Sequence, residues 1–345
     1  MKILELNYEN GWRGGERQTL YNMIGFRNAG HVVSLVCRRD SLLAKKADAE
    51  GFTILPFRNI FGVVGYLLRK GGRYDVLHAQ TSHILTWCVF SRLFHSSRIV
   101  YTRRVSFLQS GALTKLKYLL TDVIVGVSNT VKKNIDIFTR RDVPVISDIV
   151  IPQQPDRQRA EKLLAQSGIG IDKRLVGTIA MMTPEKDPIT MVEVVHILAQ
   201  QRNDFVFIHV GAGKLEEEVR LKIAAYGLRE VYKIAGYVDE PQDLLSVMDV
   251  FAMSSVNEGL GSTVLDAYLL RVPVVATKAG GMADILANGN GIACDIKNAA
   301  MIAEGINKLL NDGQLVSVMT DRAYEYVLAN HSMQHITDQY QALLQ

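Results

Sequence analysis

Cysteine is scarce in this sequence of 345 residues: Cys37, Cys88 and Cys294 are odd in number, far apart and without a Cys-x-x-Cys pair. That distribution excludes a disulfide framework, a cysteine-built zinc site and a dithiol redox centre, and it fits a reducing cytoplasm. Proline is also scarce at 8 residues, and charged residues make up 21% against 48% hydrophobic, a balance that excludes a disordered or spacer-like chain. Long apolar runs are missing: stretches such as residues 84–90 fall well short of the ~20 residues that cross a bilayer as a helix. Glu5 interrupts the first apolar run too early for the core of a signal peptide. The expectation is a cytoplasmic protein that does not span a membrane.

A large excess of one charge is absent from the whole, at +4, but not from the parts. Residues 1–150 carry 22 basic against 11 acidic side chains and the remainder 17 against 24, so the halves stand at +11 and −7. A basic first half suits an anionic partner, whether a membrane surface, a phosphorylated acceptor or nucleic acid, although solubility alone also accounts for it. No nucleic-acid-binding motif accompanies the charge, so nucleic acid is not expected as a partner.

What is present is alternation. Short β-branched runs at 2–6, 32–37, 75–79, 98–101 and 123–127 read as buried strands, with helical patterns between them. A second series follows at 175–180, 205–210, 232–234, 250–253 and 272–276. Parallel strands need crossovers, usually helices, so each series predicts a doubly wound α/β sheet. The length exceeds one ordinary core, and Pro152 and Pro155 break the pattern between the series. The expected division is 1–151 and 152–328, two Rossmann-like domains facing a cleft, with 329–345 as a C-terminal helix packing back on the first.

The densest chemistry follows the run ending at Met253: Ser254-Ser255-Val256-Asn257-Glu258-Gly259-Leu260-Gly261-Ser262-Thr263-Val264-Leu265-Asp266. In open parallel sheets ligands bind outside the carboxyl ends of strands, and here a glycine-bearing loop leads into a helix. Glycine lets backbone approach a ligand closely, and the helix start at Gly261, Ser262 and Thr263 favours a diphosphate. Glu258 and Asp266, eight positions apart, are able to flank one extended ligand and accept from its paired hydroxyls. A helix cap plus a surface aspartate is the plainer alternative.

This segment, with Arg271-Val272-Pro273-Val274-Val275-Ala276-Thr277 and Gly280-Gly281-Met282-Ala283-Asp284 after it, resembles glycosyltransferase family 4. The resemblance implies the GT-B fold, a nucleotide-diphosphate sugar as co-substrate, retention of configuration and no metal or other cofactor. It assigns Glu258 to donor-sugar hydroxyls and Asp266 to the nucleotide ribose, with Gly259 and Leu260 also at the donor. Most members have a glutamate where this chain has Asp266, a side chain one methylene shorter. Lys186, in Thr183-Pro184-Glu185-Lys186-Asp187, matches the lysine that members direct at the donor diphosphate. The arginine usual five positions earlier is replaced by Met181, so either Arg13, Arg103 or Arg104 supplies a second cation or the leaving group is stabilised less than in other members.

The resemblance extends along the chain. Arg13-Gly14-Gly15-Glu16 looks like the N-terminal glycine loop, offering N–H groups to donor phosphates or acceptor, although a tight turn needs the same residues. Gly211, after His209-Val210, and Tyr237, after Ala235-Gly236, resemble the nucleotide-base pocket. Arg103 and Arg104 end a strand and are candidates for acceptor or phosphate contact, with a surface charge run as the alternative. His78 and His83 are candidates beside the reacting sugar, while Gln80 occupies a position that is often histidine in the family; a lone histidine at a strand end is otherwise a satisfied structural residue. The function implied is transfer from a donor, by family frequency UDP-linked, to a glycolipid or saccharide in lipopolysaccharide or capsule biosynthesis, with peripheral contact on the inner face of an anionic membrane through segments such as 67–70 and 115–118. A nucleotide-sugar epimerase and a non-catalytic nucleotide-sugar-binding or partner protein are the alternatives.

Overall fold

Both series of strands form as parallel sheets, and a computed structural model describes residues 1–107, 110–170 and 173–344. The chain divides into two units, Met1–Ile149 with Asn330–Gln345, and Val150–Ala329.

In the first unit the strands are β1 (Lys2–Leu6), β2 (Val32–Arg38), β3 (Thr53–Phe57), β4 (Val76–Ala79), β5 (Arg98–Arg103) and β6 (Val123–Gly126). They lie in the order β3-β2-β1-β4-β5-β6, reversing direction of growth at β1, where β4 pairs beside it with Ile3 opposite Val76. Helices α1 (Gly14–Asn28) and α2 (Leu42–Ala49) cross on the way out to β3. Helices α3 (Ile60–Lys70), α4 (Ser82–Ser91) and α5 (Ala112–Leu119) make the crossovers on the other side of the switch, and α6 (Asn129–Thr139) follows β6. Right-handed crossovers place the two groups on opposite faces of the sheet.

The second unit repeats the plan with α7 (Arg157–Gln166), β7 (Arg174–Ile179), α8 (Pro188–Gln201), β8 (Phe205–Val210), α9 (Glu216–Ala225), β9 (Tyr232–Gly236) and α10 (Gln242–Ser246). Then come β10 (Val250–Met253), α11 (Ser262–Leu269), β11 (Val274–Thr277), α12 (Met282–Ile285), β12 (Ile292–Cys294), α13 (Ala299–Asn311) and α14 (Gly313–His331). The order β12-β11-β10-β7-β8-β9 has its switch between β7 and β10, whose carboxyl ends carry the Lys186 and Glu258 loops.

Helix starts follow local chemistry. Ser41, Asn59, Thr81, Ser128, Asp156, Asp187 and Asn298 each accept an N–H of the first turn on a side-chain oxygen. Helix α11 has no such cap: it starts from Gly261, whose φ is 93°. Central strands bury Leu4, Leu77 and Ile99 in one unit and Val176, Phe207 and Val250 in the other, the apolar stripes that drive each sheet against its helices. All three cysteines are buried free thiols, with burial raising Cys37 and Cys88 to about 12 and Cys294 to about 11. The terminal helix α15 (Met333–Leu344) packs on α1. A side chain at Gly25 would strike Thr337, and Tyr340 meets Phe26 edge-on with ring centroids 5.7 Å apart.

Candidate functional site

In the second unit two loops at the switch point are stitched together. The Ser254 hydroxyl donates to the carbonyls of Asp187 (2.8 Å) and Lys186 (3.2 Å), and the N–H groups of Val256 and Asn257 both donate to Glu185 O, at 2.9 and 3.2 Å. Thr277 ties the other side by donating to Ser255 O at 2.5 Å, and Gly281 N–H donates to Glu258 O at 3.2 Å. The loop is therefore fixed by backbone, and the Glu258 carboxylate is set by it. Glu258 is buried; its Oε1 accepts the Ser255 hydroxyl at 2.9 Å and pairs with Lys186 Nζ. Just over a quarter of the lysine side chain remains accessible, at 28%. Two candidates far apart in sequence are thus in direct contact.

Beyond Glu258, Gly259 is partly exposed, Leu260 is buried, and Gly261 turns the chain into α11. A side chain at Gly261 would combine a left-handed backbone with a Cβ 2.8 Å from Met282 Cγ, so only glycine fits this entry. Ser262 and Thr263 occupy the first turn, half-buried, at the positive end of the helix dipole. Asp266 follows one turn later, also half-buried. A helix start entered through glycine, three residues after the carboxylate that pairs with Lys186, is chemically fit to receive a phosphate.

The sequence reading did not single out Ser255 or His209. Ser255 sits three residues before Glu258 and orients it; a serine just before an acidic glycine loop was the available clue. His209, at the end of β8, is buried with Nδ1 2.8 Å from Tyr232 Oη and Nε2 3.1 Å from Ala180 O. A carbonyl only accepts, so Nε2 carries the proton and Nδ1 accepts from the tyrosine. Burial pushes its pKa down to about 4, against the smaller upward pull of the Ala180 carbonyl, so the ring is neutral at pH 7. Lys186, Thr178, His209, Met253, Ser254 and Ser255 line a shallow recess there. At the neighbouring turn Gly211 N–H donates to Gly236 O at 2.7 Å, and a Cβ on Gly211 would strike Ala180 O. Tyr237 is exposed, its hydroxyl 3.5 Å from Asp239. Met181, in the place of the usual arginine, is half-buried.

In the first unit, His78 of β4 and Gln80 just after it converge on a buried carboxylate of β1 that the sequence marks only as a break in its first apolar run. Glu5 accepts from His78 Nδ1 at 2.7 Å on one oxygen and from Gln80 Nε2 at 2.7 Å on the other. His78 Nε2 lies 2.8 Å from Thr102 Oγ1, which lies 2.8 Å from Tyr340 Oη on α15. Arg104 bonds Gln80 Oε1 and reaches Asp148 Oδ1 at 3.2 Å. His78 and Arg104 therefore stand in one network, with His78 buried in its interior. Arg103, expected at a phosphate or acceptor, is 1% exposed: its guanidinium bonds Val105 O (3.0 Å), Tyr118 Oη (2.7 Å) and Phe107 O, so it shapes the loop after β5 instead of facing solvent. His83 is exposed on the first turn of α4.

At the start of α1, Arg13 and Gly14 are exposed, and a Cβ added at Gly15 would meet nothing within 4 Å, so that approach is open. Glu16 accepts Arg13 N–H at 2.9 Å; burial raises its pKa against that bond. Of the three arginines considered as a second cation, Arg13 is the exposed one. Among the described residues no cluster of potential metal ligands occurs, and no helix is long and apolar enough to cross a membrane.

Comparison with known proteins bears on this arrangement. Residues 159–326 match the family model described as glycosyl transferases group 1. The lipopolysaccharide core biosynthesis glycosyltransferase LpsE of Rhizobium meliloti is 27% identical over 67% of this chain and 66% of its own length. The 2-deoxystreptamine glucosyltransferase of Streptomyces kanamyceticus is 26% identical over 50% of this chain and 46% of its own. The matched regions thus span less than two thirds of these relatives. The crystal structure of Anabaena Alr3699/HepE in complex with UDP and glucose superposes with a TM-score of 0.86 at 20% identity, covering 100% of this chain and 99% of that one. The fold is accordingly GT-B, and residues 159–326 match the model of the glycosyl transferases group 1 family.

Proposed function

We propose that this protein is a retaining glycosyltransferase that moves a sugar from a UDP-sugar to a glycolipid or saccharide acceptor in lipopolysaccharide or capsule biosynthesis, working at the inner face of an anionic membrane. The observation that carries the reading is the Lys186–Glu258 pair, held in the glycine loop that leads into α11. A donor arriving there exchanges one ion pair for two better-matched contacts. Lys186 turns to the diphosphate, and Glu258, already held by Ser255, accepts the donor-sugar hydroxyls. The α11 start adds its dipole to the same phosphates, and Asp266 takes the ribose hydroxyls.

In transfer, negative charge grows on the leaving diphosphate as the glycosidic bond breaks. Lys186 and the helix start stabilise that charge, so the reading requires no metal. The acceptor hydroxyl attacks the anomeric carbon from the face the diphosphate leaves; the departing phosphate oxygen takes the hydroxyl proton, and configuration is retained. In the first unit the α1 start and Arg13 are open to anionic groups, and side-chain bonds of His78 tie β4 to β1 and β5. UDP is favoured by the bound nucleotide in Alr3699/HepE, and the envelope setting by the likeness to LpsE.

The test is a calorimetric and thermal-shift panel of UDP-, GDP-, ADP- and CMP-sugars in EDTA, on the wild type, Lys186→Ala and Glu258→Gln, followed by NMR of the anomeric proton in any transfer product. At a hundredfold excess over Kd, a bound donor adds about 2.7 kcal/mol of stability. The reading expects that gain for one UDP-sugar, its loss in both variants, and an unchanged anomeric configuration. No response to any nucleotide sugar, or an inverted product, overturns it.

A further inference from the structure

A departing nucleoside diphosphate carries about three negative charges at pH 7, because the second pKa of a phosphate monoester is about 6. Against that charge the paired loops of the second unit offer Lys186, and Lys186 already faces the Glu258 carboxylate. Met181, half-buried just after β7, brings no charge. The loop after β8 does. It runs Gly211-Ala212-Gly213-Lys214, and Lys214 is exposed.

Backbone fixes where that lysine stands. Met182 N–H donates to Ala212 O at 3.2 Å and Leu215 N–H donates to Met182 O at 3.0 Å, so the chain on both sides of Lys214 is tied to the loop that carries Lys186. The approach is as close as glycine permits, since a Cβ on Gly213 would strike Met182 O. The Lys186 loop is tied in turn to the Glu258 loop, where Glu185 O accepts the N–H groups of Val256 and Asn257. The loops after β7, β8 and β10 therefore form one fastened edge, and Lys186, Lys214 and Glu258 come from one loop each. Electrostatics agrees with this placement. The Glu185 carboxyl is held below its usual range first by its own backbone N–H and the Thr183 side chain, then by the ammonium groups of Lys214 and Lys186, with Lys214 the stronger of the two. Lys222, Arg220 and Lys278 are each paired with a carboxylate, Glu193, Glu216 and Asp295 respectively. Among the described residues Lys214 has no carboxylate within ion-pairing distance, which leaves its charge to a ligand.

We infer that Lys214 is the second cation of the donor site, reaching the diphosphate alongside Lys186 and sharing the negative charge that grows on it during transfer. The inference rests on the proposed transfer from a nucleotide sugar and names a further residue that touches its leaving group. As the bond from the anomeric carbon to the phosphate oxygen breaks, its electron pair stays on the diphosphate. The acceptor oxygen bonds the carbon, and its proton passes to the departing phosphate. Lys214 remains an ammonium throughout and exchanges no proton. The test is calorimetry on the full chain in EDTA. Titration with UDP, GDP, ADP and CDP finds the diphosphate that the wild type binds. That diphosphate and its nucleoside are then titrated, at low and high salt, into Lys214→Gln, which keeps length without charge, and Lys214→Arg, which keeps the charge. Lys214 is exposed, and retained melting temperature verifies folding.

Lys214→Gln is expected to bind the diphosphate about tenfold more weakly and with a shallower dependence on salt, while binding the nucleoside as the wild type does. Lys214→Arg is expected to stay within about threefold of wild type for both. Wild-type affinity for the diphosphate in Lys214→Gln overturns the inference and leaves the transferase reading standing. An equal loss for diphosphate and nucleoside overturns it as well, because the residue would then serve the base or the ribose. No binding of any of the four diphosphates by the wild type overturns the transferase reading and the inference together.

Discussion

Lys186 and Glu258, 72 positions apart, meet on the same carboxylate oxygen that accepts the Ser255 hydroxyl. The pair is half open, since Glu258 is buried and Lys186 is partly exposed, so the carboxylate depends on its partner more than the ammonium does. Removing the lysine leaves a buried charge with one hydroxyl donor. Lys186→Ala is expected to lower unfolding stability by about 1–3 kcal/mol, below the range for a fully buried pair because water reaches the site. Glu258→Gln, which keeps an acceptor for Ser255, is expected to cost less. A urea-denaturation double-mutant cycle checks this: additive losses would mean that the two groups do not interact in solution.

Gly261 controls the entry to α11 by backbone alone. Alanine there meets both the cost of φ near 93° and a contact 2.8 Å from Met282 Cγ. The expected loss is about 1–3 kcal/mol. The same substitution at Gly15, where added volume meets nothing, is expected to change stability little. Equal melting temperatures for Gly261→Ala and wild type would refute the geometric argument.

Most of the fold was legible because buried parallel strands announce themselves as apolar runs. The series predicted at 205–210 and 250–253 coincides with β8 and β10. What escaped was β3, where Pro56 interrupts an edge strand and removes an N–H that a central strand would need, and β12, only three residues long. The strand-to-helix loop from Ser254 to Asp266 was legible because glycine and acid spacing is local chemistry. The network of the first unit was not. Glu5 lies inside an apolar run, where it reads only as a break in a signal peptide; its partners are His78 on β4 and Gln80 just beyond it, and His78 is bonded onward to Thr102 of β5 and so to Tyr340 of α15. Tertiary closure brings those residues together, and no spacing in the chain encodes it. Arg103 illustrates the converse: a strand-end arginine reads as a ligand until its hydrogen bonds are counted.

Arg103 is expected to behave as a structural residue. Its three donors point in directions that lysine cannot serve together, so Arg103→Lys is expected to destabilise by about 1–3 kcal/mol. The melting temperature measures that loss. Thermal shift by nucleotide sugar, measured on the folded variant, is expected to match the wild type; a weakened donor response with unchanged stability would return Arg103 to the phosphate.

His209 makes stability depend on pH in a defined window. Its pKa falls from 6.5 in the unfolded chain to about 4 when folded, because burial penalises the imidazolium. Above pH 6.5 both states are neutral and nothing is lost. Between 6.5 and 4 the unfolded chain binds a proton that the folded chain refuses, so stability declines as pH falls, by roughly 3 kcal/mol in full. His209→Gln does not titrate. At pH 7.5 the variant is expected to be less stable than wild type, since one side chain cannot readily keep both the Tyr232 and Ala180 contacts. That deficit is independent of pH, whereas the wild-type penalty grows with acid, so the two stabilities converge on acidification. Urea midpoints for both proteins at pH 7.5 and 5 measure the gap, and every other titrating group cancels in the difference. A gap that stays constant would show that His209 is not held neutral in the folded state.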